Sequence, residues 1–164
     1  MKHALLFFFA FTWKIVSFSQ VAPIMPADLK LAEGQWTGSL TYLDYSRNKE
    51  VTIASKLDVL IKKQGRELLM KFSYPDEPDY GTTEHVRISN DGLMLEDADV
   101  KEKSQLADGS LRIVTEERGK DDRKPATIRK VILLGKDKLS ITKMVRFDNG
   151  TDFFRRNVYE WKRS

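Results

Sequence analysis

From Gly34 onward the chain alternates apolar and polar residues with a period of two, segment after segment. Glu50–Lys63 is the cleanest case. Val51, Ile53, Ser55, Leu57, Val59 and Ile61 share one side, and Thr52, Lys56, Asp58 and Lys62 the other. Trp36–Ser46 sets Trp36, Gly38, Leu40 and Tyr42 against Thr37, Ser39 and Thr41. Arg66–Tyr74 carries Leu68, Met70, Phe72 and Tyr74 in phase. Thr82–Ser89 and Leu93–Glu96 make a short hairpin around Asn90-Asp91-Gly92. Further strands are expected over Ser110–Arg118, Ala126–Leu134, Lys138–Asp148 and Thr151–Arg163, and Asp97–Asp108 reads as polar and irregular.

These are about nine strands on short local connections, and short connections make sequence neighbours antiparallel neighbours in space. A long meander with one apolar face must bury that face. Closing the sheet on itself does so and removes the exposed edges. The expected fold is therefore all-β: an antiparallel up-and-down β-barrel of about 8–10 strands. A two-sheet sandwich is the rival, but it needs long crossover loops that the chain lacks.

Helix signals are confined to Val21–Glu33. Pro26 suits a first turn, Asp28 supplies early negative charge, and Gly34 stops the helix. Ahead of it lies a short basic start through His3, an apolar run from Ala4 to Trp13, and small residues at Ser17 and Ser19. This is the layout of a secretory signal peptide over residues 1–19, too short to span a bilayer. It leaves a segment at 20–33 and a barrel domain at 34–164. The expected location is secreted or periplasmic, with no lipid anchor because no Cys follows the cleavage site.

Composition narrows the chemistry. The 164 residues contain no Cys, which excludes disulfides, thiol catalysis and cysteine-ligated metals. Formal net charge is +4, and removing Lys2 and Lys14 with the leader leaves 26 basic against 24 acidic residues. Basic and acidic residues interleave, so nucleic acid is not an expected partner. The expected partner is a small hydrophobic or anionic ligand, and no cofactor or metal is called for.

Gly34-Gln35-Trp36 opens the first strand after a short helix, and Tyr159-Glu160-Trp161-Lys162-Arg163 closes the last. This arrangement resembles the calycin group, the lipocalin and fatty-acid-binding barrels, along residues 28–163. The resemblance implies that Trp36 plugs the closed end, that the last strand returns beside the first, and that Arg163 or Lys162 packs near the Trp. The chain departs from the lipocalins in lacking a large first loop and a helix after the barrel. It also lacks the helical lid of fatty-acid-binding proteins, since Ser46–Glu50 is too short for either device.

The last two strands hold the most informative polar residues. A two-residue Asn149-Gly150 loop would set Lys143 opposite Arg156. A three-residue loop with Gly150 left-handed would set Val145 opposite Phe153, Lys143 opposite Arg155 and Ile141 opposite Asn157. Matching apolar faces selects the second. It places a cationic pair, Lys143 and Arg155, on an apolar face, with Lys130 in phase on the preceding strand. Like charges opposite each other destabilise a sheet, so something must compensate. Glu117 is an internal candidate and a bound carboxylate an external one. Arg155-x-Asn157-x-Tyr159 is similar to the Arg-x-Tyr pair with which fatty-acid-binding proteins hold a ligand carboxylate. The candidate ligand-binding residues are thus Lys143, Arg155, Asn157, Tyr159, Tyr42 and Phe72, with Leu40, Ile53, Leu57, Met70, Ile141 and Phe153 as apolar wall.

Other motifs are weaker. Asp76, Glu77 and Asp79 lack the Gly and Glu positions of a calcium loop. His85 follows Thr83 and Glu84 without a nucleophile elbow. As the single His beyond the leader it is also the one haem-ligand candidate that the resemblance offers. No catalytic motif is present, so the expectation is a non-catalytic binding protein. The alternative is an envelope interaction or structural module with a side-chain-filled barrel.

Overall fold

The computed structural model describes residues 21–164. The leader read over residues 1–19 lies outside them. The described chain forms one short helix, α1 (Pro26–Leu29), and ten strands: β1 (Gly34–Asp44), β2 (Lys49–Lys62), β3 (Glu67–Ser73), β4 (Thr82–Arg87), β5 (Met94–Leu95), β6 (Ala98–Gln105), β7 (Leu111–Asp121), β8 (Lys124–Leu134), β9 (Lys138–Phe147) and β10 (Phe154–Arg163). All ladders are antiparallel, in the order β4-β3-β2-β1-β10-β9-β8-β7-β6-β5. The first and last strands are thus neighbours, with Trp36 opposite Arg163 and Gly38 opposite Trp161. A bridge between Ile88 and Leu95 joins the two ends of the sheet. The result is a nearly closed ten-strand barrel.

The period-two reading gives the inward face correctly along most strands. Trp36, Leu57, Val59, Ile113, Leu139, Val145 and Trp161 are almost wholly buried. Ala98–Gln105 is a strand rather than an irregular segment. Ala98 and Val100 face the core, Asp99 and Lys101 face outward, a bulge between Val100 and Glu102 interrupts the ladder to β7, and beyond it Lys103 turns inward opposite Ile113.

One barrel end is plugged. α1 runs into a tight turn at Lys30–Ala32, which buries Leu29 and Ala32. Trp36 Nε1 donates to the Ala32 carbonyl at 2.8 Å. Arg163 lies over the Trp36 ring at 4.2 Å and donates to the carbonyls of Leu31, Glu33 and Lys136. Burying a large apolar side chain is worth roughly 1.5–3 kcal/mol, so this small cluster anchors a segment that has little helix of its own. Lys103 on β6 fastens it further, donating to Asp28 and to the Pro23 carbonyl.

The hairpin joining β9 and β10 departs from expectation. Asp148–Phe153 all lie in the turn, and β10 begins by pairing Phe154, not Phe153, with Val145. That one-residue difference exchanges the faces. Phe153 goes outside, held between the guanidinium groups of Arg129 and Arg146 at 4.0 and 4.7 Å, and Arg155 goes outside opposite Met144. A bulge between Arg155 and Asn157 then adds one residue and restores the phase, so that Asn157, Tyr159 and Trp161 face inward.

Candidate functional site

Two spaces lie inside the barrel. The inner one is a cavity of about 380 Å³ between the plug and the middle of the barrel. Met70, Phe72, Ile113, Ile128, Ile132 and Ile141 form much of its apolar wall. The outer one is an open bowl at the barrel mouth, lined by Leu40, Tyr42, Ile53, Tyr74, Glu77 and Tyr80 among others.

A partition of side chains separates the two. The Tyr74 hydroxyl, on the bowl side, hydrogen-bonds the Tyr159 hydroxyl, on the cavity side, at 2.7 Å. Tyr159 also stacks on Trp161, with ring centroids 4.8 Å apart. Burial and the bond to Tyr74 push its phenol well above the ordinary tyrosine range, so it stays protonated. Lys143 and Asn157, opposite each other on β9 and β10, line both spaces.

Lys143 is tied to the mouth. Its Nζ donates to Asp121 Oδ1 at 2.6 Å, and Tyr45 donates to Asp121 Oδ2 at 2.6 Å. Arg156 approaches the same carboxylate at 3.4 Å, lies over the Tyr45 ring and donates to the Leu43 carbonyl. Asp121 is buried, which pushes its pKa up, but the bonds from Lys143 and Tyr45 and the nearby Arg156 outweigh burial and hold it below the ordinary carboxylate range. The compensation expected from Glu117 comes instead from Asp121, at the end of the same inward series Leu111, Ile113, Thr115, Glu117, Gly119 on β7.

Lys130 is different. It pairs with Lys143 across the β8–β9 ladder and lines the inner cavity. Among the described residues no carboxylate lies within ion-pair distance of it. Glu84, Glu96, Asp97 and Glu117 line the same cavity but do not reach Lys130, so its half-buried ammonium is left to be balanced by solvent or a bound anion, because an unpaired charge cannot be buried cheaply.

Of the residues singled out in the sequence, Lys143, Asn157, Tyr159 and Phe72 meet at the inner cavity, and Tyr42 lines the bowl beyond the partition. Arg155 is not among them: it lies on the outer surface and bonds Glu50. The cationic pair facing inward is Lys130 with Lys143, not Lys143 with Arg155. Asp121 and Tyr45 escaped the sequence reading. The alternation along β7 marks Asp121 as inward, but nothing local marks Tyr45 as its partner across 76 residues.

His85 lies on the opposite, outer face of the sheet. Its Nδ1 is 2.7 Å from Glu67 Oε1, and Lys63 and Arg87 bond the other oxygen of the same buried carboxylate. Bonds from Lys63, His85 and Arg87 hold Glu67 down at about 2. This cluster covers a carboxylate and faces away from the cavity.

No family model matches the chain, and no curated protein matches it. A solved structure from Nostoc punctiforme, a protein of unknown function from the DUF3598 family, is similar with a TM-score of 0.40 and 11% sequence identity. The match covers 87% of this chain and 51% of that one, so this chain spans about half the length of that structure.

Proposed function

We propose that the barrel is a non-catalytic carrier that binds a small, partly apolar molecule in the inner cavity, with an anionic group on Lys130. The carrying observation is Lys130: a half-buried cation without an ion-pair partner among the described residues, set beside Lys143 and Asn157 in a chamber whose apolar wall is interrupted on one side by Glu84, Glu96, Asp97 and Glu117. Small barrels often fill their interior with side chains. Here the plugged end is filled and the middle is not, which favours binding over a purely structural module. Arg163 stacked on Trp36 supports the likeness to calycin barrels. The leader read over residues 1–19 supports export, and the carrier is proposed to work outside the cytoplasm.

Calorimetric titration with decanoate and with decanol tests the reading. Decanoate should bind, and Lys130→Met should weaken it by about tenfold or more, the worth of a charge-assisted hydrogen bond, while decanol affinity stays within about twofold. Equal loss for both, or no binding of either, would sink the proposal.

A further inference from the structure

The barrel wall has a gap. β6 covers β7 only along Leu111–Glu116, because Asp99 pairs with Glu116 and β6 then runs away toward the plugged end. Beyond that point Glu117–Asp121 pairs with β8 on one side and with no strand on the other. β4 is in the same position: Thr82–Arg87 pairs with β3, and its other edge meets a neighbour only at the Ile88–Leu95 bridge and the turn beyond. β5, two residues long, separates β4 from β6 at one level and no further. A side slot therefore runs between the free edges of β4 and β7. The inner cavity reaches it, since Glu84 and Val86 of β4 and Glu117 of β7 belong to the cavity wall.

The mouth offers a poorer route. Passage from the bowl meets the partition held by the Tyr74–Tyr159 and Lys143–Asp121 hydrogen bonds, whereas among the described residues no ladder joins β4 to Glu117–Asp121 across the slot. The slot also carries charge. Glu84 and Glu117 stand on its two sides, and Glu96 and Asp97 in the β5–β6 turn line the cavity next to them. None of the four has an ion-pair partner among the described residues. Unpaired carboxylates around an opening in a low-dielectric wall focus a negative potential across it.

We propose that the slot between β4 and β7 is the ligand entrance and that Glu84 and Glu117 make it a charge filter. This rests on the cavity being the binding site. The filter slows anions and passes neutral or zwitterionic amphiphiles, leaving Lys130 to retain an acidic group once it is inside.

The test uses two probes of one shape, N-phenyl-1-naphthylamine, which is neutral, and its sulfonate, 8-anilinonaphthalene-1-sulfonate. Association rates are read by stopped-flow fluorescence at low salt. The double variant Glu84→Gln/Glu117→Gln should speed the sulfonate about three- to tenfold, leave the neutral probe within about twofold, and lose its effect near 0.5 M salt. Glu77→Gln and Tyr74→Phe, on the bowl side, should change neither rate. Faster entry in the bowl variants, or unchanged rates in the slot variant while both probes bind, would overturn the side entrance but spare the carrier reading. Failure of both probes to bind any form would overturn the two together.

Discussion

Lys130 and Lys143 stand directly opposite each other on β8 and β9, both facing the barrel interior, and one carboxylate, Asp121, serves only the second of them. Two like charges at paired positions cost about 0.2–1 kcal/mol in a sheet. Asp121→Asn should therefore destabilise the protein by about 3 kcal/mol, the low end for a broken buried pair because Lys143 keeps some exposure. Adding Lys130→Met should recover part of that loss. Urea unfolding of the two singles and the double would read the coupling, and strict additivity would show that the lysines do not interact.

Arg163 closes the plugged end with a flat group that no other side chain reproduces. It covers Trp36 and bonds three backbone carbonyls. Arg163→Ala should cost about 1–3 kcal/mol, and Arg163→Lys should restore less than half, because an ammonium lacks the planar fork. Thermal melts would decide it; full rescue by Lys would reduce the role of Arg163 to its charge.

Gly38 faces Trp161 across the β1–β10 seam. A Cβ there would lie 1.9 Å from the Glu160 carbonyl oxygen and 2.7 Å from the Trp161 Cα. Both obstacles are backbone and cannot swing aside. Gly38→Ala should therefore cost about 3 kcal/mol or more and weaken the seam that joins the chain ends. Hydrogen exchange along β1 and β10 would show it; native protection in that variant would contradict the close approach.

Glu67 contributes to the acid limb of stability, alongside other depressed carboxylates such as Asp108. Its folded pKa, about 2, lies below the ordinary value of 4.5. A depressed carboxylate adds stability that is present above about 4.5 and drains away as pH falls toward 2. Glu67→Gln should be less stable at pH 7 and should flatten the loss between those pH values. An unchanged acid limb in that variant would assign it to other carboxylates.

The candidate site was half legible in the residues. Lys143, Asn157, Tyr159 and Phe72 follow from strict alternation, which survives wherever a strand is regular. Phe153 and Arg155 did not, although they obey the same alternation, because the turn before them holds six residues rather than three and the bulge after them hides the shift. A turn length read from Asp148-Asn149-Gly150 cannot register that Arg129 and Arg146 hold Phe153 on the outside.

By itself the sequence determined that this is an all-β protein and which faces of most strands turn inward. Those properties rest on a two-residue period and on turn chemistry, both local. Only the tertiary structure decided that Lys130 rather than Arg155 joins Lys143, that Asp121 neutralises one lysine and not the other, and that the wall opens between β4 and β7. These depend on bulges, on how far one strand overlaps the next, and on partners tens of residues away, and pairing over such distances is fixed by the closure of the whole sheet.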